Sequence, residues 1–112
     1  MFKRIWHSLF KNSGPRREKR ETDVNGTILI NGIHYPMVDW SFSGFSVKDF
    51  EDTVYRGDRL PISVQVETSK GASFTFDCTM IVVRFAEDSK ELAGAFVEVP
   101  QDVRVALADY FD

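Results

Sequence analysis

Two short clusters in this chain carry residue types that do chemistry. The first is "PRREKRETD", in which Arg16, Arg17, Lys19 and Arg20 fall within five positions. Arg16 and Arg20 stand in an R-x-x-x-R spacing. Guanidinium groups this dense meet anions: a phosphate, a nucleic acid or an anionic membrane. Glu18, Glu21 and Asp23 lie in and just after the cluster and are its nearest ion-pair partners in sequence. The second cluster is "DWSFSG", with Asp39, Ser41 and Gly44 in a D-x-S-x-x-G spacing. A carboxylate accepts hydrogen bonds from a pair of parallel donors, and a serine hydroxyl adds a small polar contact. The same three residues can equally shape a turn, with Asp39 and Ser41 bonding nearby backbone amides and Gly44 relieving the bend.

Charge divides the chain in the same way. Residues 1–20 hold seven Lys or Arg against one Glu, a net of +6, which leaves −9 on residues 21–112 of a chain whose total is −3. A basic arm on an acidic body can engage an anion, solubilise a terminus or fold back on its own acidic surface. General nucleic-acid binding fits poorly, because the basic residues are confined to the arm.

The elements that would position these clusters are mostly strands. Residues 1–11, "MFKRIWHSLFK", form an amphipathic helix with Phe2, Ile5, Trp6, Leu9 and Phe10 on one face. Gly14 and Pro15 end it. Three turns are marginal alone. Docking in cis or in a dimer is expected ahead of peripheral membrane contact. "GTILINGIHYPMV" is a hairpin about an Asn31-Gly32 turn, with Pro36 marking an edge or bulge. "DWSFSG" follows as a turn, and "FSVKDF" as a strand. In "RLPISVQVET", Leu60, Ile62, Val64 and Val66 face one way. In "SFTFDCTMIVVRFA", Phe74, Phe76, Cys78, Met80 and Val82 alternate, and the added apolar residues Ile81, Val83 and Phe85 predict a bulge or burial of both faces near its end. "LAGAFVEV" is the last strand, and "QDVRVALADYF" a helix with Val103, Ala106, Leu107 and Tyr110 on one face. About six antiparallel strands with a terminal helix make a small barrel or sandwich.

Enzyme chemistry finds no support. His7 and His34 stand apart from any metal-ligand spacing, no Gly-rich phosphate loop joins a strand to a helix, and no serine has an evident base. No catalytic residue and no metal site is assigned. The lone cysteine, Cys78, lies in an apolar alternation and reads as a core residue. No run is long enough to span a bilayer and the N-terminus lacks a signal-peptide core, so the expected location is cytoplasmic.

R-x-x-x-R at Arg16 and Arg20, followed by D-x-S-x-x-G at Asp39, Ser41 and Gly44, resembles the paired signature of PilZ domains, bacterial receptors for the second messenger cyclic di-GMP. "RGDRLPISVQV", "LAGAFVEV" and the terminal helix extend the likeness from about Arg16 to Phe111. The resemblance implies an all-β fold: a six-stranded antiparallel PilZ-type barrel over residues 15–112 with a C-terminal helix, preceded by the short amphipathic helix and linker of residues 1–14. It implies ligand roles for Arg16, Arg20, Asp39, Ser41 and Gly44, with Arg17 auxiliary. The residue types suit such a ligand. Guanine O6 and N7 match the arginine fork, and its N1–H and N2–H₂ match a carboxylate. The short Asn12-Ser13-Gly14 link between the arm and the helix ahead of it leads us to expect a receptor or adaptor that moves its N-terminal arm on binding and signals to a downstream protein. The alternative is a PilZ-like protein-interaction module that binds no nucleotide.

Overall fold

The computed structural model of the protein describes residues 18–112. The helix expected over residues 1–11, its linker, and Arg16 and Arg17 lie outside the described residues. Seven strands are present among the described residues: β1 (Arg20–Glu21), β2 (Val24–Ile30), β3 (Ile33–Ser41), β4 (Gly44–Val47), β5 (Arg59–Thr68), β6 (Ser73–Ala86) and β7 (Glu91–Val97), followed by helix α1 (Gln101–Phe111). All pairings are antiparallel, in the circular order β3-β2-β5-β6-β7-β4. The β3–β4 pairing closes the ring into a six-stranded barrel, and the two-residue β1 adds to the end of β3. Closure leaves the six barrel strands without an unpaired edge along their paired lengths.

Local sequence explains most of these elements. Asn31 and Gly32 both take positive φ, 51° and 84°, as the two-residue turn between β2 and β3 requires. Alternation then sorts the side chains. On β5, Ile62, Val64 and Val66 are buried, and on β6 so are Phe76, Cys78, Met80 and Val82. The helix packs its Leu107, Tyr110 and Phe111 onto the barrel end marked by Trp40 and Phe74. Ala106, expected on that face, is exposed.

Two expectations change at the second cluster. Asp39, Trp40 and Ser41 are the last residues of β3, so the bend holds only Phe42 and Ser43. "FSVKDF" contributes a shorter strand that begins at Gly44 and ends at Val47, and Asp49 takes a positive φ of 58° soon after. Each reflects pairing partners that local sequence does not contain: Glu21 and Phe45 hold Trp40 in the ladder from its two sides.

Two bulges interrupt the ladders. Register shifts between Met37 and Asp39 on β3, and between Val82 and Arg84 on β6. Each bulge inserts one extra residue, which reverses the in–out alternation beyond it.

Candidate functional site

The site is assembled at the outer face of the C-terminal half of β3. Without the bulge at Val38, alternation from buried Met37 would turn Asp39 inward against Phe45. With it, Asp39 stands opposite Ser46 and its carboxylate lies on the barrel exterior. Trp40 consequently points inward and is fully buried.

Arg20 reaches this carboxylate from β1, 19 residues away in sequence. Its Nη2 donates to Asp39 Oδ1 at 2.8 Å and its Nη1 to Ser41 Oγ at 3.1 Å. The Ser46 hydroxyl donates to the same Asp39 oxygen at 2.8 Å. These contacts set the charge state of Asp39. Burial pushes its carboxyl up, but the Arg20 and Ser46 hydrogen bonds and the charges of Arg20 and Arg84 together hold it below the ordinary carboxylate value. Asp39 is therefore an anion at neutral pH, already paired with one of the arginines that the sequence associates with it.

Ser41 is fully buried. Its oxygen accepts from Arg20 and from the Ser43 amide at 3.3 Å, so it anchors both the arginine and the bend. Gly44 is also buried, at the first position of β4 opposite Ala95. A Cβ there would fall 2.2 Å from the carbonyl oxygen of Gly94 and 3.2 Å from Ala95 Cα. The absence of a side chain at Gly44 thus serves the close β4–β7 seam.

Of the six residues singled out in the sequence, the structure brings together Arg20, Asp39 and Ser41, and puts Gly44 three residues on in the neighbouring strand. Among the described residues, two of the acids beside Arg20 bond other groups. Glu18 accepts from Ser43 Oγ at 2.6 Å. Glu21 accepts from Trp40 Nε1 at 3.0 Å through one oxygen and from the Tyr110 hydroxyl through the other. It thereby ties the short strand carrying Arg20 to the barrel core and to the last turn of α1. Ser46 and Arg84 escaped the sequence reading, and Glu21 was visible there only as an ion-pair partner for the arginines, because each takes its place through strand pairing or helix docking. A surface depression lined by Asn25, Gly26, Gln65 and Glu67 lies on the β2–β5 side, and among the described residues none of the two clusters lines it.

No family model and no curated protein matches the chain. Among solved structures it is similar to the inhibitor of motility of Bacillus subtilis (MotI/DgrA), a PilZ-domain protein, with a TM-score of 0.63 at 17% sequence identity. The likeness covers 86% of this chain and 48% of that one, so this chain spans about half the length of that protein. At this identity the likeness is one of fold: a PilZ-type closed barrel with a C-terminal helix.

Proposed function

We propose that the protein is a cyclic di-GMP receptor that holds the nucleotide on the outer face of the barrel at Asp39. Arg20 is its partner there, and Arg16 and Arg17 join it from the segment ahead. The observation that carries this reading is the meeting of Arg20 with Asp39 and Ser41 across 19 and 21 residues of sequence. That convergence is what a bipartite nucleotide site requires.

The exchange on binding is energetically reasonable. The Arg20–Asp39 pair is partly solvated, with side-chain exposures of 42% and 24%. Such pairs contribute about 0–1 kcal/mol. A guanine offering N1–H and N2–H₂ to the Asp39 carboxylate gains two charge-assisted hydrogen bonds, each worth about 1.5–3 kcal/mol. Arg20, released, turns its fork to guanine O6 and N7 or to a phosphate. Its departure frees the Ser41 hydroxyl.

Movement at Arg20 has a route outward. Glu21 is its neighbour and bonds Trp40 and Tyr110, so displacing β1 disturbs the seat of α1. The partner that reads this change is a further protein. The solved neighbour's description as an inhibitor of motility makes a regulatory adaptor the natural class. A second reading, an interaction module that binds no nucleotide, is favoured by the way Arg20, Asp39, Ser41 and Ser46 satisfy one another without a ligand.

Calorimetric titration with cyclic di-GMP separates the two. The receptor reading expects saturable binding that Arg20→Ala and Asp39→Ala each weaken by about tenfold or more. No heat at high micromolar nucleotide refutes it and leaves the interaction module. Co-sedimentation with anionic vesicles, with and without residues 1–12, tests membrane contact independently.

A further inference from the structure

The bulge at Val83 does on β6 what the bulge at Val38 does on β3. Val82 is buried opposite Gly94. Unbroken alternation would set Val83 opposite Ala93 and turn Arg84 inward toward Leu92. The extra residue instead puts Arg84 opposite Ala93, on the exterior, and leaves Phe85 opposite Leu92. Ala93 in turn pairs with Ser46, and Ser46 with Asp39. Two independent bulges thus place an acid and an arginine at the ends of one cross-strand row, Asp39–Ser46–Ala93–Arg84.

The row spans three strand spacings, roughly 14 Å between its ends at about 4.7–4.9 Å each. Its two middle side chains are among the smallest available, a hydroxymethyl and a methyl, with Ser46 buried and Ala93 half-buried between the charged ends. Gly44 and Ala95 pair beside them. Arg84 is 58% exposed, and its ion-pair contact with Glu91 is long at 3.9 Å. The guanidinium is therefore not committed to a tight pair.

We infer that Arg84 is a ligand contact on the far side of the site, so that the nucleotide lies across β3, β4, β7 and β6 with one guanine at Asp39 and an acceptor group of its second half, phosphate or purine edge, on the Arg84 fork. This rests on the cyclic di-GMP reading. It adds a residue outside both sequence clusters and fixes the direction in which the ligand lies.

The test is calorimetric titration of the full chain with cyclic di-GMP, comparing wild type, Arg84→Ala, Arg84→Lys and Lys70→Ala. Lys70 lies at the opposite end of β6, in the turn between β5 and β6, and its loss is an equal change of charge. Arg84→Ala is expected to weaken binding by about tenfold or more, Arg84→Lys to fall between, because it keeps the charge and loses the fork, and Lys70→Ala to stay within about twofold of wild type. Thermal midpoints of both Arg84 variants should stay within about 2 °C of wild type, since an exposed, loosely paired arginine contributes little to stability. Arg84→Ala that binds like wild type, or Lys70→Ala that weakens binding as much as Arg84→Ala, overturns the inference while leaving the receptor reading intact. A wild-type chain that binds nothing removes both.

Discussion

Replacing Gly44 with alanine should force apart the seam between β4 and β7. The new methyl would sit 2.2 Å from the Gly94 carbonyl oxygen, where ordinary contact begins near 3.4 Å. Backbone must therefore retreat by more than an ångström, because neither Gly94 nor Ala95 has a flexible side chain to move aside. Overpacking of this kind costs about 1–3 kcal/mol. The adjoining Phe96 N–H to Ser43 carbonyl hydrogen bond, 2.8 Å long, would be strained as well, adding about 0.5–1.5 kcal/mol. Alanine stiffens the unfolded chain and returns about 0.4–1 kcal/mol. The net is a loss of about 0.5–4 kcal/mol centred near 2, or a fall of roughly 8–16 °C in melting midpoint at that centre for a domain of this size. β4 is only four residues long, so it has little remaining ladder with which to absorb the shift. Thermal melting followed by circular dichroism measures the effect. A Gly44→Ala midpoint within about 2 °C of wild type would refute the steric reasoning. If such a variant also lost nucleotide binding, the role of Gly44 would lie with the ligand.

Other predictions address the charges and the core. Asp39 is held below the ordinary carboxylate value of 3.8 in the folded state. It therefore stabilises the fold above that pH, and the contribution is lost as pH falls through its lowered folded value. Urea midpoints of wild type and Asp39→Asn should accordingly differ most at neutral pH and converge once the pH falls below that lowered folded value; a gap that widens on acidification would contradict this. Tyr110 titrates above its ordinary range because burial disfavours the phenolate and Glu21 accepts its proton in a hydrogen bond and repels the anion. Ultraviolet titration should show Glu21→Gln lowering that value toward the ordinary 10.0, and an unchanged or higher value would count against the Glu21 link to α1. Cys78 is buried, and burial, followed by the charges of Asp77 and Glu98, raises its thiol to about 11. A thiol reagent at about pH 8 should leave the native protein unlabelled and modify it fully in denaturant; fast native labelling would show that the barrel wall opens.

Much of the fold follows from periodicity that any local stretch displays. The Asn31-Gly32 hairpin, the alternation of β5 and β6 and the span of α1 all depend on residues within a few positions of one another. The doubled apolar pattern near the end of β6 did mark a bulge, whereas Pro36 stays paired with Thr27 and the β3 bulge falls two residues later at Val38. The consequence of those bulges was invisible, because it depends on which strand lies alongside. Only the pairings Asp39–Ser46, Ser46–Ala93 and Ala93–Arg84 place four residues from four strands in one row. The sequence by itself therefore determined the strand content, the turn chemistry and the separation of a basic arm from an acidic body. Tertiary structure alone decided that Arg20 rests on Asp39, that Ser41 is sealed beneath it, and that Gly44 serves the β4–β7 seam. Local propensity acts over a few residues, whereas a site on a closed barrel is made by neighbours that chain closure brings together from distant parts of the sequence.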